Sequence, residues 1–153
     1  MKSTLISVML LALPAGGLGL LMAAVDPSQT KPPAEPEHIQ VQHILIAFTG
    51  TLPGKPISRT QEEAKKLAYD ILARAKKGED YDALVSKNTD DSAPGIYGMS
   101  NLGVQQAQGE YPRERMVPAF GNVGFKLNVG EIGIADYDPK NSPFGYHIIK
   151  RVK

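Results

Sequence analysis

The run HIQVQHILIAF, His38 to Phe48, alternates: Ile39, Val41, His43, Leu45 and Ala47 fall on one face, and His38, Gln40, Gln42 and Ile44 on the other. A period of two sends successive side chains to opposite faces of a strand, so this stretch predicts a first β-strand. Glycines and prolines in FTGTLPGKPIS end it, and the period then changes. In TQEEAKKLAYDILARAKKGED, Ala64, Leu67, Ala68, Ile71, Leu72 and Ala75 recur at helical spacing. Thr60 and Glu63 have the separation of a capping box, while Lys76, Lys77 and Gly78 supply a basic last turn and a stop. Tyr81, Leu84 and Val85 after Asp80 predict a second, short helix. The span Asn88 to Gly103 is polar and rich in turn formers, so it reads as loop with a strand near Leu102. Pro118 at a first helical position, followed by Phe120, Val123 and Leu127, predicts another short helix. Asn128 to Glu131 then turns into Ile132–Ile134, and Asp136 to Pro143 turns back into a closing strand, FGYHIIKRV. Strand, helices, strand or loop, helix and two strands make an α+β arrangement around a mostly antiparallel sheet.

The N-terminus follows a different pattern. MKSTLISVMLLALPAGGLGLLMAAV carries one charge, at Lys2, and is apolar from Leu5 to Val25 apart from Ser7, Pro14 and glycines. Residues 1–25 therefore read as an export signal or a membrane anchor, since a spanning helix needs roughly 20 apolar residues. Either reading places the rest outside the cytoplasm: periplasmic, secreted or anchored to the inner membrane. Residues 26–37, DPSQTKPPAEPE, form a proline-rich spacer, which leaves residues 38–153 as one folded domain. The chain has 17 basic and 16 acidic residues, and Lys2 lies in the leading segment, so the remainder is balanced. That balance gives no electrostatic footprint for nucleic acid or an anionic surface. With no cysteine in the chain, a disulfide framework, lipid attachment at a signal-peptide cysteine and a thiolate nucleophile are all excluded.

Each terminal strand places one histidine among aliphatic residues: His43 on the first, and His147 on the last, where it shares a face with Gly145, Ile149 and Arg151. One such histidine is ordinarily a satisfied core residue. Two of them, on the strands that open and close the domain, point to a pair, because first and last strands of small sheets often lie side by side. A metal site would need a third ligand, and His38 falls on the opposite face from His43, so no metal is expected. The adjacent carboxylates Asp90 and Asp91 in TDDSA read first as turn formers or caps. Met116 and Phe120, one helical turn apart, read alone as core. The glycines between Gly121 and Gly130 lack the context of a phosphate loop.

Taken in order, QHILI (42–46), TDDSA (89–93), NLG (101–103), MVPAF (116–120) and FGYHII (144–149) resemble the parvulin family of peptidyl-prolyl cis/trans isomerases, from about His38 to the C-terminus. The resemblance implies a four-stranded antiparallel sheet flanked by about four helices, in the order βα3βαβ2. It implies paired imidazoles at His43 and His147, with Asp91 at the family's cysteine-or-aspartate position and Asp90 as its near neighbour. Leu102, Met116 and Phe120 become the slot for the substrate proline, Ser142 a hydroxyl at the rim, and Phe144 a further substrate-binding residue. No metal or organic cofactor is implied. The expected activity is non-covalent rotation of Xaa-Pro bonds in proline-containing peptides and unfolded exported proteins, by a monomer. The alternative is a catalytically weak, chaperone-like module that binds unfolded peptides. The phosphate-directed branch carries a basic cluster after the first strand, whereas TGTLPGKPIS has only Lys55, with Arg59 just beyond, so no phosphoserine requirement is expected.

Overall fold

In the computed structural model, which describes residues 34–153, the alternating segment forms β1 (His38–Ile46). The export segment and most of the spacer lie outside the described residues. Helix α1 (Gln61–Lys76) follows, and Thr60 closes the capping box: its Oγ accepts from the Glu63 N–H at 3.2 Å and the Glu63 carboxylate accepts from the Thr60 N–H at 2.7 Å. Helix α2 (Tyr81–Asn88) starts at Asp80, whose carboxylate accepts from the Ala83 N–H at 2.7 Å. Then come β2 (Ile96–Ser100), β3 (Glu110–Pro112), a 3-10 turn at Arg113–Arg115, α3 (Pro118–Gly124) with proline in its first turn, β4 (Ile132–Ala135) and β5 (Tyr146–Arg151). Among the described residues no helix is long and apolar enough to cross a membrane.

The sheet has the order β3-β2-β1-β5-β4, so the first and last strands are neighbours at its centre. Strand β1 is antiparallel to β2 on one side and to β5 on the other, and β4 is antiparallel to β5. The expectation of four antiparallel strands is corrected by β3, a fifth strand that pairs parallel with β2. Tyr111 is its one large apolar residue, so no alternation marks it; backbone pairing and the bond between Glu110 and the His38 ring, at 2.9 Å, hold it instead. The expected strand near Leu102 lies earlier, at Ile96–Ser100, and Leu102 sits in the turn beyond it. Among the described residues, three α-helices and the 3-10 turn stand where about four helices were expected.

Both faces of the central strands are covered. Ile44, Ile46 and Ile148 face α1 and α2, packing on Ala68, Ile71, Leu84 and Val85. Complete burial of such side chains contributes about 1.5–3 kcal/mol each. The buried Tyr81 hydroxyl donates to the Ile148 carbonyl at 3.0 Å. On the opposite face Ile39, Val41, Met99 and Ile149 pack against Phe120, Phe125 and Leu127. Helix α3 is only 7 residues long, and beyond it His43, Leu45 and His147 form part of the lining of a cleft.

Candidate functional site

The β1–β5 register pairs Leu45 with His147 and His43 with Ile149, which puts the two histidines on one face, diagonal to each other. Their rings stack with centroids 5.5 Å apart and planes 17° from parallel, and the two Nδ1 atoms are 3.4 Å apart. Two glycines make room for this arrangement. A β-carbon on Gly95 would come 2.5 Å from the His43 carbonyl oxygen, and one on Gly145 would come 2.3 Å from that of Ile46; both residues have positive φ.

His43 Nε2 lies 3.0 Å from Asp91 Oδ2, and the Tyr97 hydroxyl donates to the same oxygen at 2.9 Å. A carboxylate can only accept, so His43 carries its proton on Nε2. For neutral rings His43 Nδ1 is then the acceptor and His147 Nδ1 the donor, an assignment made from the hydrogen-bond network. His147 Nε2 is buried without a partner among the described residues. Burial, with a smaller contribution from the neighbouring His43 ring, pushes the His147 pKa down to about 3. The hydrogen bond from His43, followed by contacts from Ser92 and Tyr97, holds the Asp91 carboxyl well below its usual range. Burial, together with the Asp91 bond, pushes the Tyr97 phenol up to about 12.

Above this polar base lies an apolar cleft of about 250 Å³. Phe120 meets both imidazoles edge-on, at 5.1 Å from His43 and 5.5 Å from His147. Met116 and Val117 line one wall, Leu45 lies on β1, and Leu52 and Phe144 flank the cleft, Phe144 with 40% of its surface exposed. His43, His147, Asp91, Met116, Phe120 and Phe144 are thus brought together. Two other residues expected at the site are not. Leu102 is 61% exposed and does not line the cleft, because the residues after Asp91 end β2 at Ser100 and leave Leu102 in the following turn. Ser142 is fully buried and its hydroxyl donates to the Gly145 carbonyl at 3.0 Å, which closes the turn before β5 and withdraws the hydroxyl from the rim.

Of the two neighbouring acids, Asp91 faces His43, whereas Asp90 accepts from the Ala47 N–H at 2.8 Å and pairs with Arg59. Sequence reasoning did not find Tyr97, Leu45, Val117 or Leu52. Leu45 was within reach, since it follows His43 by two residues on an alternating strand. Tyr97 depends on β2, which no periodicity announces.

The profile of the PPIC-type PPIASE domain matches residues 28–153. The foldase protein PrsA of Caldanaerobacter subterraneus subsp. tengcongensis is 38% identical over 114 residues, spanning 74% of this chain and 28% of that protein. The foldase protein PrsA of Geobacillus kaustophilus is 30% identical over 129 residues, spanning 84% of this chain and 42% of that protein. The chain thus spans less than half the length of these curated relatives. A solved structure titled peptidyl-prolyl isomerase ESS1 from Candida albicans superposes with a TM-score of 0.58 at 24% identity, over 76% of this chain and 63% of that one, a likeness of fold.

Proposed function

This chain belongs to the PPIC-type peptidyl-prolyl isomerase (parvulin) family, and from that membership we propose that it accelerates cis/trans rotation about Xaa-Pro bonds in exported, still-folding polypeptides. The observation that carries the reading is an apolar cleft whose base is a pair of buried imidazoles fixed by one carboxylate. The prolyl bond is held by amide resonance behind a barrier of about 18–20 kcal/mol, and exchange takes tens of seconds or longer. No covalent bond has to break. The twisted transition state has lost conjugation, so its carbonyl is less polarised than in the planar amide. A water-poor slot walled by Met116, Val117 and Phe120 favours that less polar state while holding the proline ring. The chain of donors from His147 to His43 to Asp91 sets the tautomers and the field at the base, without attacking the substrate.

The apolar segment 5–25 supports an extracytoplasmic site of action, and the foldase names of the relatives support unfolded exported chains as substrates. In this reading residues 1–25 export or anchor the protein, residues 26–37 act as spacer, and residues 38–153 are the catalytic domain, working as a monomer. The test is exchange NMR on proline-containing tetrapeptides with the full chain. We expect clear acceleration, lost about tenfold or more in Phe120→Ala. Removing this buried ring also costs about 3–5 kcal/mol of stability, so Met116→Ala, at a partly buried position, serves as the better-folded second variant. Peptide binding without acceleration would favour the chaperone-like module instead.

A further inference from the structure

We propose that Tyr111 extends the cleft into a subsite for a large apolar side chain, aromatic above all, on a residue flanking the substrate's proline; this rests on the reading of the cleft as a prolyl-peptide site. Tyr111 lies on β3, the strand added beyond the four expected. The parallel register pairs it with Met99, and Met99 pairs with Ile39, so Tyr111 stands on the face of the sheet that carries the cleft. Its ring lies 6.0 Å from that of Tyr97, tilted by 54°, and Tyr97 lies 6.1 Å from Phe120. The three rings form a continuous wall that begins in the buried floor at Phe120, passes the half-buried Tyr97 and ends outside on Tyr111, which is 51% exposed.

The wall is anchored along its length. The Tyr97 hydroxyl is held by Asp91 at 2.9 Å and its ring meets His43 edge-on at 5.2 Å. Strand β3 is held by its ladder to β2 and by Glu110 on His38. The outer half of Tyr111 is therefore a pre-positioned aromatic surface, and aromatic partners gain from such a ring beyond simple burial. With proline over Phe120, the next Cα is about 3.8 Å along the peptide. Tyr111 lies two ring-to-ring steps from Phe120, a span that a long side chain on that residue covers and an alanine does not.

The experiment compares the full chain with Tyr111→Ala and Tyr111→Phe on tetrapeptides carrying either phenylalanine or alanine on each side of proline in turn. Affinity is read by NMR titration and turnover by exchange NMR. At one flanking position the wild-type preference for phenylalanine over alanine should shrink about three- to tenfold in Tyr111→Ala, through Kd and KM, and be restored in Tyr111→Phe. Equal losses on both peptides, or no change in the ratio at either position, overturns the proposal. A Tyr111-dependent preference in binding without any acceleration upholds the subsite while refuting the isomerase reading. Failure of the wild type to bind any of the peptides refutes both.

Discussion

At the scale of single residues, Asp90 and Asp91 occupy adjacent positions and do unrelated work. Asp90 turns toward β1, satisfying the Ala47 N–H and the Arg59 guanidinium. Asp91 turns into the cleft, where His43 and Tyr97 converge on one of its oxygens. Since the His43 bond holds the Asp91 carboxyl below its usual range, it is an anion and a pure acceptor at neutral pH. Asp91→Asn replaces a charge-assisted bond by a neutral one and should lower kcat/KM by about tenfold, with no acyl adduct detectable by mass spectrometry. Loss of nearly all activity combined with a trapped acyl adduct would contradict non-covalent catalysis. Asp90→Asn should instead cost about 1–3 kcal/mol in urea unfolding and leave the rate in place.

At the scale of elements, legibility followed the length and regularity of the pattern. Nine alternating residues announced β1, while helix spacing with its cap announced α1, and α2 and α3 were marked by Asp80 and Pro118. Strands β2 and β3 were opaque because Gly98 interrupts the pattern of β2, and β3 has only three residues, with Tyr111 between Glu110 and a proline, too few to show an alternation. The site inherits this division. The histidine pair was readable from two terminal strands, whereas Leu102, placed by resemblance, fell outside the cleft, and Tyr97 and Tyr111 were invisible without the β2–β3 ladder. The loop between β1 and α1 carries a further consequence. Arg59 is held by Asp90 and by the Ala47 carbonyl at 3.0 Å, and Lys55 is held by the Asp90 carbonyl. A phosphoserine before proline would meet the Asp91 carboxylate beside cations that already have partners. Rates for phosphoserine-proline and serine-proline peptides should agree within about threefold, because a planar, unoccupied guanidinium is what phosphate selects. A large preference for the phosphorylated peptide in exchange NMR would show that Arg59 leaves Asp90 for the substrate.

At the scale of the whole molecule, joining the first and last strands at the centre of the sheet buries a titratable ring in the fold's most connected region, so the site's chemistry enters global stability. Unfolded, His147 takes up a proton near its ordinary pKa of 6.5; folded, burial delays this to about 3. Between those values the unfolded chain holds one more proton than the native one. Stability from this residue is therefore complete above about pH 6.5 and falls on acidification, with a slope of up to about 1.4 kcal/mol per pH unit. Asp91 acts in the same direction but later, since its ordinary value is 3.8 and the fold holds it lower, so its share is lost only as the pH drops beneath that range. Urea midpoints measured between pH 7.5 and 4.5 should thus decline, and most of the decline between pH 6 and 4.5 should vanish in His147→Asn even if that variant is less stable at pH 7.5. An unchanged slope in the variant would mean that the acid sensitivity arises elsewhere and that His147 is not held neutral at the centre of the sheet.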